Sequence, residues 1–244
     1  MQGRTILVRA VLFDVDDTLV DLAGAQQVAF RQQLTAQFGD QVLSHPAMPV
    51  AAESFVHDPQ DYYNSYINGH LSFAEQRLCR VRDAMEILQL SGQPDDELWI
   101  VGYEEVVSQH WAPFDDVPPL LAALDELGIA YGAATNNVTD YQAHKLEQAG
   151  LPFDVVIGTD VTGKPKPHAL MFLEGANRLN TDPAQTLMIG DDIINDGLGA
   201  RDAGLISLLV DRDNTLADLD RVFKVRSLSD VLHIDALSFD NQRI

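Results

Sequence analysis

Hydrophobic positions along this chain follow two rhythms: short unbroken apolar runs, and stripes spaced three and four apart. The runs predict buried strands and the stripes predict amphipathic helices. The first run, Ile6 to Phe13, is broken only by Arg9 and predicts a strand covered on both faces, as in a parallel sheet. From about 21 to 112 only helical patterns follow. Ala23 to Phe38 carries Phe30, Leu34 and Phe38 on one face and is closed by Gly39. Residues 40–60, with Pro46, Pro49 and Pro59, predict irregular chain. Tyr62, Tyr63 and Tyr66 predict a short aromatic helix ending near Asn68-Gly69. Ser72 and Glu75 form a capping-box pattern that opens a helix to about Leu90. Pro94 opens another to about His110, with Trp99, Tyr103, Val106 and His110 on one stripe.

After Asp116 the two rhythms alternate. Leu120 to Leu127 predicts a helix stopped by Gly128, and Ile129 to Ala134 a strand. A helix to Ala149-Gly150, a strand over Phe153 to Ile157 and a helix over Pro167 to Leu179 come next. Thr186 to Ile189 is a strand, Ile194 to Ala203 a helix, and Leu205 to Val210 the last clear strand; Leu228 to Leu232 predicts a short helix in the tail. Alternation of this kind implies an α/β fold with a doubly wound parallel sheet. The expected body is residues 1–20 plus 113–244, with residues 21–112 inserted as a helical cap.

Polar residues gather where the strands end. Asp14, Asp16 and Thr18 follow the first strand, Thr135-Asn136 the second, Lys164-Pro165-Lys166-Pro167 the third, and Gly190-Asp191-Asp192 with Asp196 the fourth. Each group alone has an ordinary explanation, as a helix cap, a turn or a solvated loop. Four such groups at the carboxyl ends of strands in one sheet point instead to a ligand crevice. Clustered carboxylates repel unless a cation relieves them, and an all-oxygen ligand set suits Mg2+. With hydroxyl and amide groups for phosphate oxygens and a lysine for charge, these are the parts of a phosphoryl-transfer site. A Walker glycine loop is missing, and Gly197 and Gly199 lack the third glycine of a dinucleotide fingerprint. A carboxylate nucleophile is then the leading idea.

Charge narrows the partners. With 16 Lys and Arg against 37 Asp and Glu, the net charge is −21, which argues against nucleic acid and anionic membrane surfaces. The single cysteine, Cys79, excludes an intrachain disulfide framework and a Cys-based zinc cluster. Arg4 and Arg9 are not followed by a signal-peptide pattern, and no apolar window approaches the roughly 18 residues of a membrane span. A soluble cytoplasmic protein is expected, as monomer or homodimer.

With these motifs the chain resembles the haloacid dehalogenase (HAD) superfamily, in the subclass with a helical cap inserted after the first motif. Phe13-Asp14-Val15-Asp16-Asp17-Thr18-Leu19 matches the first motif, Thr135-Asn136 the second, the lysine run the third, and Gly190-Asp191 through Asp196 the fourth. The resemblance implies a Rossmann-like core in which Asp14 is the nucleophile that forms an aspartyl-phosphate and Asp16 the general acid and base. It implies Mg2+ held by Asp14, the Asp16 carbonyl and Asp191, with Asp196 and Asp192 behind them. Thr18, Thr135, Asn136 and Lys166 would meet the phosphate, Thr135 and Lys166 counting with the catalytic groups. Phe172, six residues on, favours Lys166, although Lys164 fits a Lys-Pro-x-Pro pattern; Ala169 then stands where proline is common. Dehalogenating relatives lack an acid at the position of Asp16, so its presence favours ester chemistry, where an alkoxide must be protonated.

The expected activity is a Mg2+-dependent phosphomonoesterase acting on a small phosphorylated metabolite. A phosphomutase would use the same core. A phospho-accepting signalling module has similar acidic, Thr and Lys groups but only about 120 residues. In the insertion, Arg77, Arg80 and Arg82 are expected on a solvated face, and Tyr62, Tyr63 and Tyr66 in packing.

Overall fold

In the computed structural model, which describes residues 5–151 and 153–240, the first apolar run divides at Arg9. Ile6–Val8 (β1) pairs in parallel with Leu237–Phe239, far along the chain, while Ala10–Phe13 (β2) enters the main sheet. Arg9 sits at the changeover, its amide bonded to the Gln185 carbonyl at 2.8 Å. The expected single strand is therefore two, because a distant segment claims the first half. Arg4 and the extreme bounds 1 and 244 lie outside the described residues.

The chain forms two compact units, one holding the residues up to Asp21 and from Ala112 onward, the other Leu22–Trp111. In the second unit the helices are Leu22–Phe38 (α1), Met48–His57 (α2), Tyr62–Ile67 (α3), Phe73–Ile87 (α4) and Tyr103–Ser108 (α5). Residues 40–60 are mostly helical rather than irregular: a 3-10 turn spans Asp40–Ser44, and Pro49 lies in the first turn of α2, where its missing N–H costs nothing. The Ser72 and Glu75 capping box is present at α4. The core is aromatic, with Phe30 stacked on Phe55 at 4.7 Å and Trp99 within 6.0 Å of both.

Pro94 does not open a helix. The chain turns helical at Asp96, and Glu97–Gly102 is a π-helix that adds a residue to the turn. The stripe shifts accordingly, so Trp99, Tyr103 and Val107 point inward while Val106 and His110 are only half-buried. Arg77 donates to the Trp99 and Ile100 carbonyls of this π-turn at 3.4 Å each, and its guanidinium lies 4.4 Å from the Tyr103 ring centre. Arg80 donates to the Phe55 carbonyl at 2.7 Å through Nε. Both arginines are buried structural groups, contrary to the solvated face expected for them; Arg82 is exposed.

The first unit is built on a parallel sheet. Its further strands are Ala130–Ala134 (β3), Val156–Ile157 (β4), Thr186–Gly190 (β5), Ile206–Val210 (β6) and Phe223–Val225 (β7), and Leu237–Phe239 is β8. The order is β4-β3-β2-β5-β6-β7, with β1-β8 apart. The helices are Val117–Leu127 (α6), Thr139–Gln148 (α7), Thr159–Thr162 (α8), Ala169–Arg178 (α9) and Gly199–Asp202 (α10). Between β5 and α10, the segment Ile193–Leu198 is a second π-helix. Phe13 is level with Ala133 on one side and Ile189 on the other. Asp14, Thr135 and Asp191 consequently leave the sheet at the same edge. Among the described residues, no helix is long and apolar enough to cross a membrane.

The tail, which carries no functional signal in the sequence and whose expected short helix is a 3-10 helix over Leu228–His233, ties this edge down. Arg212, just past β6, donates to both Asp116 oxygens at 2.9 and 3.1 Å and to the Thr18 carbonyl at 3.0 Å, and it lies 3.7 Å from the Phe114 ring centre. The Ser227 hydroxyl and Leu228 amide also donate to Asp116, at 2.7 and 2.8 Å. Burial alone would raise the Asp116 carboxyl, but these donors hold it below its ordinary value. Asp116→Ala strands Arg212 and is expected to cost about 2–4 kcal/mol, read by urea unfolding. A carboxyl lowered on folding stabilises above its unfolded pKa of about 4 and stops doing so as pH falls through its folded value. The gap between wild type and variant is therefore widest at neutral pH and narrows below about pH 4.

Candidate active site

The Asp14 amide bonds to the Ile189 carbonyl at 2.8 Å, so the residue leaves β2 in fixed register with β5. The chain then turns sharply: the Leu19 and Val20 amides both reach the Val15 carbonyl at 3.0 Å, and Asp17 takes a left-handed φ of 60°, a conformation Asp adopts more readily than most residues. Asp14, Asp16 and Thr18 are thereby delivered within one loop.

Lys166 reaches this loop from the segment before α9. Its Nζ lies 2.5 Å from Asp14 Oδ1 and 2.7 Å from Asp196 Oδ1. Asn136 fixes the Lys166 main chain from the end of β3, its Oδ1 accepting the Lys166 amide at 2.6 Å and its Nδ2 donating to the Lys166 carbonyl at 3.0 Å. Lys166 is buried whereas Lys164 is exposed, so Lys166 is the lysine that enters the site. The following helix starts at Ala169 rather than Pro167, with His168 Nδ1 accepting the Leu170 amide at 3.3 Å.

On the other flank, Asp192 caps the π-helix, its Oδ1 accepting the Ile194 and Asn195 amides at 2.8 and 2.6 Å. Its carbonyl takes both the Asp196 and Gly197 amides at 3.0 Å, which turns the Asp196 side chain back toward the strand end. There Asp196 Oδ2 accepts the Asp192 amide at 3.2 Å. Gly190 makes room for this: a Cβ on it would stand 2.2 Å from Asp196 Cγ.

Carboxylate oxygens of Asp14, Asp191 and Asp196 lie within 4.8 Å of one another. Burial, with repulsion from Asp196, Asp191 and Asp16, raises the Asp14 carboxyl well above its ordinary value despite Lys166. Burial and the Asp196 and Asp17 charges push Asp191 up to about 7, and burial raises Asp196 as well. Burial would lower the Lys166 ammonium, but Asp14 and Asp196 hold it above its usual range. One lysine thus faces three carboxylates, and the surplus negative charge fits a divalent cation with hard oxygen ligands. Both Asp196 oxygens are committed to Lys166 and the Asp192 amide. Asp14 Oδ2 and Asp191 Oδ2 accept no hydrogen bond among the described residues, so these two carboxylates are the better placed donors.

Two expected phosphate groups have other partners. Thr18 is fully buried, and its hydroxyl donates to Asp191 Oδ1 at 3.1 Å, which orients that carboxylate. Thr135 is buried at the end of β3, its Oγ1 accepting the Asn137 amide at 3.2 Å. Gln142 and Lys145 of α7, which no motif in the sequence marks, both donate to Asp16. The available signal was their position: with Leu146 they fall on the inward stripe of the helix.

Gly190→Ala must displace Asp196 and with it Lys166. The expected result is a loss of about 1–3 kcal/mol in urea unfolding, with hydrolytic activity falling further than stability does.

Residues 8–204 match the haloacid dehalogenase-like hydrolase family. The chain is 27% identical over 243 residues to the glyceraldehyde 3-phosphate phosphatase of Methanothermobacter thermautotrophicus, covering 95% of this chain and 97% of that one. It is 32% identical over 219 residues to the phosphoglycolate phosphatase of Salmonella typhimurium, covering 82% and 80%. Among solved structures it resembles the HAD-hydrolase YfnB of Bacillus subtilis bound to magnesium, with a TM-score of 0.73, 22% identity and coverage of 93% and 98%. The chain belongs to the haloacid dehalogenase-like hydrolases.

Proposed function

We propose that this protein is a Mg2+-dependent phosphomonoesterase acting on a small phosphorylated metabolite through an aspartyl-phosphate on Asp14. The observation that carries the reading is the Lys166 ammonium between Asp14 and Asp196, with Asp191 beside them. The names of the relatives, which are phosphatases of small phosphate esters, support it.

An Asp14 carboxylate oxygen attacks phosphorus, the ester P–O bond breaks, and Asp16 gives its proton to the departing alkoxide. Asp16 then takes a proton from water as the water oxygen bonds phosphorus and the Asp14–phosphorus bond breaks. Lys166 neutralises charge on the phosphoryl oxygens, and Asn136 keeps Lys166 in place. The Thr135 hydroxyl and the Asn136 amide would hold phosphate oxygens. Asp14, the Asp16 carbonyl and Asp191 would hold Mg2+, which supplies further neutralisation of phosphate charge. In this reading residues 21–112 are the cap that selects the leaving group.

The test is phosphate release from a panel of alkyl and aryl phosphomonoesters, with Mg2+ or with EDTA. Release by wild type should need Mg2+, and Asp14→Asn should lose about 1,000-fold or more. Undiminished turnover by Asp14→Asn would refute the nucleophile, and requirement for a bisphosphate activator would mark a mutase.

A further inference from the structure

Asp16 is held by two groups that no ligand can reach. Its side chain is 27% exposed, whereas that of Lys145 is 1% exposed, and Gln142 is fully buried. Lys145 Nζ donates to Asp16 Oδ1 and Gln142 Nε2 to Asp16 Oδ2 at 2.7 Å. One donor would leave the carboxylate free to rotate about it. Two, one on each oxygen, fix both its place and its plane. A carboxylate offers about four lone-pair sites, so two stay available on the exposed side.

A buried Lys side chain is costly unless paired, and Asp16 is one partner of Lys145, whose ammonium also lies 5.2 Å from the Tyr141 ring centre. Gln142 is harder to explain by stability. Its Oε1 is buried and accepts no hydrogen bond among the described residues, which is unfavourable. Its placement is accounted for by what Nε2 does. Both residues lie on α7, three apart, and the same helix follows the Thr135-Asn136 strand end.

We infer that Gln142 and Lys145 are positioning residues for Asp16, setting the distance and orientation from which it exchanges a proton with the leaving oxygen and with water. The inference rests on the phosphomonoesterase reading. The first step it serves forms the Asp14–phosphorus bond, breaks the ester bond and moves the Asp16 proton to the leaving oxygen. An alkoxide depends on that proton, whereas p-nitrophenolate departs with little need of it.

The experiment compares kcat/KM for the best alkyl phosphate of the panel and for p-nitrophenyl phosphate. The proteins are wild type, Lys145→Met, Gln142→Met, Asp16→Asn and Lys145→Met combined with Asp16→Asn. This ratio covers the steps through ester cleavage, so it reads leaving-group protonation. Lys145→Met should lower the alkyl value about 100-fold and the aryl value less than about 5-fold, and Gln142→Met should follow the same pattern more weakly. In the Asp16→Asn background, Lys145→Met should cost no more than about 2-fold on the alkyl ester, against about 100-fold with Asp16 present, because the group it positions is gone. Equal losses on both esters, or an undiminished loss without Asp16, would show a purely structural pair and overturn the inference. Melting curves check folding, and Gln142→Met decides if Lys145→Met does not fold. A wild type active on both esters and silenced by Asp14→Asn isolates the failure to this inference; a wild type inactive on every ester removes the reading and the inference together.

Discussion

The Lys166 ammonium, buried between Asp14 and Asp196, is the contact on which the order of the site depends. Each partner comes from a different strand end, Asp14 from β2 and Asp196 from the π-helix after β5, while Asn136, just past β3, fixes the lysine main chain. Remove the cation and buried carboxylates face each other unscreened, which is far more costly than the net worth of the pair. The arrangement also leaves charge over. Lys166 balances one of three carboxylates, an imbalance that a divalent cation would relieve, and among the described residues the carboxylate oxygens without a hydrogen bond belong to Asp14 and Asp191.

Much of this was readable because a parallel sheet converts sequence order into spatial convergence. Asp14, Thr135, Lys166 and Asp191 are far apart in the chain, yet each follows a strand or precedes a helix at one edge. Local grammar was equally clear where it is short-range, as in the Ser72 cap and the Gly128 stop, whose φ is 66°. What stayed hidden depends on distant partners. Leu237–Phe239 takes Ile6–Val8 away from the sheet, Asp191 takes the Thr18 hydroxyl, and Ser227 and Leu228 meet Asp116 from a tail without a motif. No window of neighbouring residues contains those facts.

The two π-helices explain another class of difference. A period of 3.6 places Val106 and His110 on the same stripe as Trp99 and Tyr103, and one added residue in Glu97–Gly102 breaks that sum. The widened turn presents carbonyls that Arg77 covers, which is why a charged residue on a helix stripe is buried. At Ile193–Leu198 the same device aims Asp196 back at Gly190. In both places an irregular turn is stabilised by polar contacts chosen for it, and a regular helix would have put the side chains elsewhere.

The strand order has a consequence for how the chain is made. Ala10–Phe13 lies between Ala130–Ala134 and Thr186–Gly190, both far downstream of it, so both of its neighbours are translated much later. At ribosomal speeds of about 5–20 residues per second, a wait on the order of ten seconds separates this strand from its first partner. Leu22–Trp111, by contrast, is contiguous and can close its aromatic core while the rest is still being translated. The segment bearing Asp14 therefore emerges before both of its neighbours and is paired late, an apolar strand that waits for the rest of the sheet to receive it.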